Sequence, residues 1–506
     1  MPKLSTTLLL IAALPTVAVA QEAPQDAPPP AASQPAATAP TTLPDEEAGG
    51  EGVEATSVVG GGTMFPADSP ERILAVTNEV FPAVVALDVK QEVYRDGKRT
   101  LQGGTGSGVI FNADGYILTN YHVAGRAAEI YVTLANKERV RGTLIGDDHW
   151  TDVAVVRLDM DEVMEKGIDF QYAEFGDSKS LVPGQDVIAI GTPFGLARTM
   201  TKGIVSNTER TFYPTEQDID GYETGRFNNW IQMDAPIAPG NSGGPLVDLN
   251  ARVIGINTRG YTGADLNFAI PGNIVKDVRD AILQSVEYAD DGTVEKEGKV
   301  TRADLGLSLK PLRDLEQFYN IDANRGVLID NVEKNSPADT AGLRVQDILL
   351  SMNGEATNVR FPEELAAVMQ RIARLPIGEE VEMTVIRNGE EQTFTTTAEK
   401  LESQIGEESE AKEWGLSVRD VTRVYANNRQ LDDAKGVVVT TVRDGYPADE
   451  AELVPGDVIK KVNNEEAEDL EAFETLYEAA VESGKNRILL TVARRQGTRS
   501  VLLKID

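Results

Sequence analysis

The chain has 506 residues, of which 41% are hydrophobic, so it is long enough to form several packed domains. Its 48 Lys and Arg against 81 Asp and Glu give a formal net charge of −33, which argues against non-specific binding to nucleic acid or anionic lipid. It has no cysteine and only two histidines, His122 and His149, which excludes disulfides, a cysteine nucleophile and metal sites built on thiolates or several imidazoles.

The first 66 residues are expected to precede the folded domains. Residues 1–20 have the pattern of an export signal, with a positive charge at Lys3, an apolar run at 8–14 and the small residues AVA at 18–20. Residues 21–66 are rich in Pro, Ala, Gln, Thr and Glu, and predict a flexible leader. No later stretch is apolar enough to span a bilayer, so the mature protein is expected to be soluble and exported.

Residues 67–287 predict an all-β domain with a helix near each end. Helical patterns occur at 71–80 and 274–287. Between them, short β-type runs are separated by Gly, Asp and Asn at intervals typical of all-β sandwiches and barrels. The predicted strands are 83–89, 108–111, 116–119, 130–134, 153–158, 186–190, 230–233 and 252–256.

An internal repeat follows a charged, turn-rich stretch at 288–300, which we interpret as a linker. Matching residues recur at a constant offset of 110, so that GVLI at 326 corresponds to GVVV at 436 and PAD at 337 to PAD at 447. Two copies are too few for a solenoid. We therefore predict two small domains in tandem, at 300–400 and 408–506.

The run GNSGGPL at 240–246 gives a serine the surroundings that nucleophilic attack requires. Its glycines permit positive φ and a tight turn that the substrate backbone can approach closely. With the chain bent around Asn241, the N–H groups of Gly240 and Ser242 can converge on one point. Ser242 is therefore the candidate nucleophile, and Gly240, Asn241 and Ser242 form the candidate oxyanion hole.

The base for this nucleophile must be one of two histidines. His122 directly follows the predicted strand 116–119, and catalytic residues often lie at strand ends. His149 lies in the polar turn GDDHW at 146–150, where an exposed side chain is expected. His122 is therefore the candidate base.

The third catalytic residue should be a buried carboxylate that orients the imidazole. Asp152 fits this role because it immediately precedes the apolar run VAVV. Asp147 and Asp148 are alternatives, but they belong to the polar turn and are expected to be solvated. The chain order His, Asp, Ser is that of chymotrypsin-like double barrels, and it disfavours a lipase or esterase, as does the absence of a Gly-x-Ser-x-Gly elbow.

Three motifs, TNYHV at 119–123, DVA at 152–154 and GNSGGPL at 240–246, resemble the catalytic motifs of the HtrA (Deg) family of trypsin-like proteases. Further similar runs are GTGSG at 104–108, GTPFG at 191–195, GIVS at 203–206, QMDA at 232–235 and FAIP at 268–271. The resemblance implies a chymotrypsin-like double β-barrel with the site in the cleft between the barrels. It also implies a periplasmic serine endopeptidase that degrades unfolded or damaged exported proteins and needs no metal or organic cofactor.

The two C-terminal repeats resemble PDZ domains, small α+β domains that capture a peptide C-terminus as an added strand. The runs LGL at 305–307 and WGL at 414–416 match the loop that receives the carboxylate. The candidate peptide-binding residues are Leu305, Gly306, Leu307, Trp414, Gly415 and Leu416. The second copy has Glu452 and Asn464 where the first has Gly342 and Gly354, so its fold is expected to survive but its peptide binding is less well supported.

Pro236 and Ile237 are expected at the primary specificity pocket, because the floor of that pocket in chymotrypsin-like enzymes lies about six residues before the nucleophile. Neither residue is charged, which predicts cleavage after small or medium apolar residues and not after Lys or Arg. Because such residues are buried in native proteins, the expected substrates are unfolded chains.

The family resemblance also implies regulation and assembly. The segment 207–229 occupies the place of the family's sensor loop, through which bound peptide would order the oxyanion hole. Homo-oligomers, either trimers or multiples of them, would form through the N-terminal part of the protease domain, with Phe65 and Phe81 as candidate contacts. The competing hypothesis is a PDZ-based holdase chaperone or adaptor with little proteolysis, and the complete set of triad motifs favours the enzyme.

Overall fold

The computed structural model describes residues 56–59, 63–66, 69–192, 198–211, 217–219, 222–261, 265–289, 291–313, 315–319, 321–322, 324–403, 406–494 and 497–505. The predicted signal peptide and most of the predicted leader lie outside these ranges. The α-helices are Pro70–Val80, Tyr121–Ala124, Met160–Glu165, Gly272–Ser285, Glu316–Tyr319, Pro337–Thr340, Leu365–Ala373, Arg423–Arg429, Pro447–Glu450 and Leu470–Glu482, and 3-10 helices span Phe81–Ala83, Ser178–Ser180 and Pro362–Glu364. None of the helices in the described ranges is long and apolar enough to cross a membrane.

The first half of the region 67–287 is a closed six-stranded antiparallel barrel. The barrel closes where the fifth strand pairs with the sixth, between Gly142↔Leu158 and Asp148↔Val153. Its interior is filled by side chains such as Leu87, Val132 and Val156, all fully buried. The strands are Val84–Arg95, Lys98–Ile110, Tyr116–Thr119, Ala127–Thr133, Arg139–Asp148 and Val153–Leu158.

The second half is another closed six-stranded barrel, so the predicted chymotrypsin-like double barrel is confirmed. A further cluster of buried side chains joins the two barrels. It includes Val109 and Leu118 from the first barrel and Ile188 and Phe268 from the second. This shared core fixes the two barrels relative to each other. The strands of the second barrel are Asp186–Gly191, Thr199–Arg210, Trp230–Met233, Pro245–Val247, Val253–Tyr261 and Leu266–Pro271.

Four strands of the two barrels were not predicted from the sequence. They are Arg139–Asp148, Thr199–Arg210, Pro245–Val247 and Leu266–Pro271. The first two carry Gly, Lys or Arg within them, and the third has only three residues, so no apolar run marks them. Barrel closure supplies the backbone partners that local sequence does not indicate. The strands Tyr116–Thr119, Val153–Leu158 and Trp230–Met233 have the predicted bounds.

The interpretation of 288–300 as a linker is wrong in part. Glu287–Tyr288 and Val294–Lys296 form a short antiparallel hairpin. Gly298–Lys299 then adds to the first barrel as a parallel strand, with Gly298 opposite Gly146 and Lys299 opposite Asp147. The charged composition of this stretch suggested that it is solvated. Lys299 Nζ, however, lies 2.9 Å from the Asp147 carboxylate, so a carboxylate of the first barrel pairs with one of these charges.

The two C-terminal domains repeat one architecture, a β-sheet with short helices, as the PDZ resemblance implied. The first contains the strands Ala303–Asp304, Leu307–Lys310, Val327–Val332, Ile348–Met352, Glu355–Ala356, Glu380–Arg387, Glu390–Thr397 and Glu399–Lys400. The second contains Glu408–Ala411, Leu416–Asp420, Val437–Val442, Val458–Val462, Glu465–Glu466, Arg487–Arg494 and Gly497–Lys504.

The departures of the second copy do not disrupt this architecture. Glu452 and Asn464 adopt φ of 58° and 71°, close to the 85° and 79° of Gly342 and Gly354 in the first copy. Both residues therefore adopt the left-handed backbone conformation that glycine adopts without strain.

Candidate active site

The three candidate catalytic residues come from three short connections of the double barrel. His122 lies in the one-turn helix Tyr121–Ala124, and Asp152 lies in the turn before the strand Val153–Leu158. Both belong to the first barrel. Ser242 lies in the connection before Pro245–Val247 of the second barrel. The site therefore lies where the two barrels meet.

His122 and Asp152 form a direct pair. The Nδ1 atom of His122 lies 2.9 Å and 3.0 Å from the two carboxylate oxygens of Asp152. The His122 backbone N–H also donates to Asp152 Oδ1, at 3.1 Å. Because a carboxylate can only accept, this contact places the imidazole proton on Nδ1 and leaves Nε2 with a lone pair for a proton from the substrate side.

Asp152 is completely buried, and its other contacts hold it in place. Thr258 Oγ1 donates to Asp152 Oδ2 at 2.8 Å, and Asn120 Nδ2 donates to the Asp152 carbonyl oxygen at 3.0 Å. The backbone of Asp152 has φ of 61°, in the left-handed region. Such a conformation costs on the order of 1 kcal/mol or more, and it persists only where surrounding contacts fix it.

The loop that carries Ser242 is packed against the first barrel through Ser107. Ser107 N–H donates to the Ser242 carbonyl oxygen at 2.8 Å, and Ser107 Oγ donates to the Gly240 carbonyl oxygen at 2.6 Å. Gly243 has φ of 84°, and a Cβ there would lie 2.1 Å from the Ser107 carbonyl oxygen. Only glycine fits this position, which explains part of the glycine-rich run.

The loop that carries Ser242 also contains the two candidate donors of the oxyanion hole. The N–H groups of Gly240 and Ser242 donate to no protein acceptor within the described ranges, while the Asn241 N–H donates to Ala238. Ser242 Oγ donates to the Thr258 carbonyl oxygen at 2.8 Å. The single hydroxyl proton therefore points to Thr258 and not to the imidazole.

Sequence reasoning missed Thr258, and it used Ser107 only as part of a matching motif. Thr258 contacts both Asp152 and Ser242, so it connects the candidate acid and the candidate nucleophile across the two barrels. The only local signal is a polar residue at the end of a buried apolar run, within VIGINT at 253–258. That signal alone does not indicate a role.

The polar turn that precedes Asp152 is buried, so its predicted solvent exposure is wrong. Asp147 and Asp148 are only 8% and 5% exposed. Arg302 NH1 and NH2 each lie 2.6 Å from an oxygen of Asp148, and Thr151 also donates to that carboxylate. Burial raises the pKa of Asp148, but the Arg302 guanidinium outweighs this effect and holds the pKa below its usual value.

His149 is half-buried and is likewise not an exposed turn residue. Its ring centroid lies 4.8 Å from that of Trp150 and 6.0 Å from that of Tyr121. Burial lowers the pKa of His149, and the neighbouring Asp148 and Asp147 carboxylates offset this only in part. His149 has no contact with Asp152 or Ser242 among those described.

The described part of the segment 207–229 joins the catalytic turn to the first PDZ domain. The Gly225 N–H donates to the Trp150 carbonyl oxygen at 2.9 Å, and Asn228 Nδ2 donates to that of Thr151 at 3.0 Å. Phe227 packs in the core of the first PDZ domain together with Trp150. The remainder of the segment, 212–216 and 220–221, lies outside the described residues, as does PFG at 193–195.

The two residues predicted at the specificity pocket lie beside the serine loop. Pro236 is exposed, and its carbonyl oxygen accepts from Thr201 Oγ1 at 2.8 Å. Ile237 is half-buried, and its N–H donates to the buried Asn267 Oδ1 at 2.9 Å. Asn267 is therefore a neighbour of this region that the sequence did not indicate.

The six candidate peptide-binding residues occupy matching loops in the two PDZ domains. Gly306 and Gly415 have φ of 70° and 71°. Each loop packs against the residue that precedes a short helix, Ser336 before Pro337–Thr340 in the first domain and Tyr446 before Pro447–Glu450 in the second. Leu305, Leu307, Trp414 and Leu416 are buried in the cores of their domains.

Comparison with known proteins agrees with this geometry. A trypsin-like peptidase domain model matches residues 106–256, and a PDZ domain model matches residues 303–398 and 414–505. A Chlamydia trachomatis protein named probable periplasmic serine endoprotease DegP-like is 32% identical over 85% of this chain and 80% of its own length. A Pseudomonas putida protein of the same name is 34% identical over 78% of each chain.

Among solved structures, the HtrA-type protease AlgW with a tripeptide is 29% identical to this chain. It superposes with a TM-score of 0.53 over 65% of this chain and 96% of its own. The architecture of one trypsin-like domain and two PDZ domains, together with these relatives, identifies the chain as a member of the HtrA (Deg) family of periplasmic serine endoproteases.

Proposed function

We propose that the chain hydrolyses peptide bonds of unfolded or damaged exported proteins through a triad of Ser242, His122 and Asp152. The observation that carries this proposal is the pairing of His122 Nδ1 with the buried Asp152 carboxylate, 2.9 Å away. Thr258 connects that carboxylate to Ser242. A buried carboxylate bound to Nδ1 leaves Nε2 able to act as the general base.

In the proposed reaction, Ser242 Oγ attacks the carbonyl carbon of the scissile peptide, and its proton passes to His122 Nε2. Collapse of the tetrahedral intermediate breaks the C–N bond, and His122 protonates the leaving amine. Water, deprotonated by the same imidazole, then hydrolyses the acyl-enzyme ester. Because the Ser242 hydroxyl donates to the Thr258 carbonyl oxygen, this hydroxyl must reorient toward His122 Nε2 before attack.

The negative charge of the tetrahedral intermediate would be stabilised by the N–H groups of Gly240 and Ser242. Neither group has a protein acceptor in the described part of the chain. The hydrogen bond from Ser107 Oγ to the Gly240 carbonyl oxygen supports this role, because it fixes the peptide that follows Gly240. Removal of one donor from an oxyanion hole costs about 3–4 kcal/mol in catalysis of acyl transfer.

The proposed specificity is for small or medium apolar residues. No ionised side chain is present at Pro236 or Ile237, and the described neighbour Asn267 is a neutral amide. Capture of peptide C-termini by PDZ domains, for substrate delivery or activation, is part of this proposal, and the similar HtrA-type protease AlgW was solved with a tripeptide. Assembly into trimers or multiples of them also stays a proposal. Its candidate contact Phe81 is partly buried and packs against the shared core of the barrels.

Digestion of a denatured protein by the wild type and by Ser242→Ala tests this function. The wild type is expected to cut mainly after Ala, Val and similar residues, and Ser242→Ala is expected to lose at least about 10³-fold in rate. Suppression of aggregation by Ser242→Ala would show a chaperone activity alongside proteolysis. Dominant cuts after Lys or Arg would contradict the specificity, and activity of pure Ser242→Ala protein would contradict the mechanism.

A further inference from the structure

The strand that follows the carboxylate-binding loop is paired differently in the two PDZ domains. In the first domain, Leu307–Lys310 pairs with Val327–Val332 and forms the edge of its sheet within the described residues. In the second, Leu416–Asp420 pairs with Val437–Val442 on one side and with Glu408–Ala411 on the other. A PDZ domain binds a peptide by adding it to the free edge of this strand, so only the first domain offers such an edge.

Exposure of corresponding residues shows the same difference. Ser308, the second residue of the strand in the first domain, is exposed. Its counterpart Ser417 in the second domain is 0% exposed. The strand edge that would receive a peptide is therefore covered in the second domain.

The covering segment has the direction and register of a bound peptide. Glu408–Ala411 runs antiparallel to its partner, from Glu408 opposite Arg419 to Ala411 opposite Leu416. A peptide that ends at the Gly415 loop must end beside Leu416, which is where Ala411 lies. Ala411 is 1% exposed and belongs to the same buried cluster as Leu416. Its methyl group thus takes the apolar position of a C-terminal side chain.

The segment is also held on the side of the helix Leu470–Glu482. Ser409 Oγ donates to Glu474 of that helix at 2.5 Å, and two residues after the segment the Glu413 N–H donates to Tyr477 Oη at 3.1 Å. The segment therefore lies between a strand and a helix, which is the groove that PDZ domains use for peptides.

A hairpin of the first protease barrel holds the segment from outside. Tyr94 Oη donates to the Glu408 carbonyl oxygen at 2.8 Å, and the Arg99 N–H donates to Glu410 Oε2 at 3.1 Å. At the hairpin tip, Gly97 has φ of 66°, and a Cβ there would lie 2.4 Å from the Gly415 carbonyl oxygen. The protease domain thus contacts both the segment and the carboxylate-binding loop.

We infer that Glu408–Ala411 is a built-in ligand of the second PDZ domain. It closes that groove to peptide C-termini and fastens the domain to the protease barrel. The inference rests on the proposed function only in assigning peptide capture to the first domain. A tethered segment acts at an effective concentration on the order of 1 mM, so a peptide of equal intrinsic affinity near 10 μM would bind about 100-fold more weakly.

The absence of cysteine from the chain permits a direct crosslinking test. Full-length chain carrying Ser242→Ala, Glu408→Cys and Arg419→Cys should form a disulfide on mild oxidation, because these residues lie opposite each other. The control pair Glu410→Cys and Arg419→Cys is two residues out of register, with Cα atoms about 7–8 Å apart, and should keep its free thiols. Equal crosslinking of both pairs, or of neither, would overturn the inference.

The same crosslinked protein tests whether the groove is closed to peptides. A fluorescein-labelled decapeptide ending in Val is titrated against the oxidised and the reduced forms. Equal numbers of bound peptides support the inference, whether the number is one or zero per chain. Zero would refute peptide capture by the first domain and leave the built-in ligand standing. An additional peptide bound to the reduced form, and lost on oxidation, would overturn the inference.

Discussion

Thr258 gives the proposed catalytic site a contact that spans both barrels. Its hydroxyl donates to the buried Asp152 carboxylate, and its carbonyl oxygen accepts from Ser242. A carboxylate with no solvent contact depends on such donors, because an unsatisfied buried charge costs free energy. We therefore regard Thr258 as a residue that positions the acid and the resting serine.

Replacement of Thr258 separates this role from simple packing. Thr258→Val keeps the shape of the side chain but removes the donor to Asp152, at a cost of about 1–3 kcal/mol for the unsatisfied acceptor. We expect kcat to fall about tenfold or more with KM little changed, as measured with a fluorogenic peptide. Thr258→Ser is the matched control and should retain most of the activity. Equal losses in the two variants would contradict the positioning role.

At the residue scale, the sequence predicted which side chains would meet but not what holds them. The contact between His122 and Asp152 follows from motif and chain order, and the structure brings the two together. Thr258 is 106 residues from Asp152, and no local pattern connects them. The polar turn was misjudged for the same reason, since the Arg302 that pairs with Asp148 lies 154 residues away.

At the level of elements, the strand Gly298–Lys299 and Arg302 after it connect the catalytic turn to the first PDZ domain. Arg302 is 8% exposed and forms a bidentate ion pair with Asp148, four residues before Asp152. Breaking one side of such a pair is costly, because the remaining charge stays buried without compensation. We therefore expect this ion pair to hold the turn before Asp152 against the segment that leads into the first PDZ domain.

Arg302→Met should destabilise the protein by about 3–5 kcal/mol near pH 7.5, since it leaves the Asp148 carboxylate buried and unpaired. Urea unfolding followed by tryptophan fluorescence measures the effect. The double variant with Asp148→Asn should recover much of the loss. Lys296→Met is the exposed control, because Lys296 and Glu287 are 69% and 60% exposed, and it should change stability by less than about 0.5 kcal/mol.

The pH dependence of this loss has a defined sign. In the wild type the pKa of Asp148 is lowered, so its contribution to stability is present above the ordinary carboxyl range and is lost as pH falls through that lowered pKa. In Arg302→Met, burial without the guanidinium raises that pKa instead. The difference between the two proteins should therefore shrink as pH is lowered toward about 4, near the ordinary pKa of aspartate. A difference that grows on acidification would contradict the assignment.

Elements with a strong local signal were predicted well, and elements that depend on closure were not. Val153–Leu158 begins with the apolar run VAVV and was predicted with correct bounds. Arg139–Asp148 has charged residues at both ends and two glycines within it, and it becomes a strand because two neighbouring strands pair with it. The repeat offset of 110 residues likewise predicted matching elements, such as Val327–Val332 and Val437–Val442.

At the scale of the whole molecule, the two PDZ domains contact the protease region through different elements. The first packs around Trp150 and Phe227, next to the catalytic turn. The second is held by the hairpin around Gly97 and has its groove filled by Glu408–Ala411. The sequence left peptide binding by the second copy less well supported, because of Glu452 and Asn464, but it did not indicate these contacts, since contacts between distant segments leave no local pattern. The structure therefore supports different roles for the two PDZ domains.

Covalent labelling of the full-length chain with a fluorophosphonate tests the central claim most directly. Ser242 Oγ should displace fluoride, so that mass spectrometry finds one phosphonyl group per chain on the peptide containing Ser242. His122→Ala should slow this labelling by about 10³–10⁴-fold, because the base that takes the serine proton is lost. Labelling of a different residue, or an unchanged rate in His122→Ala, would contradict the assignment of Ser242 and His122.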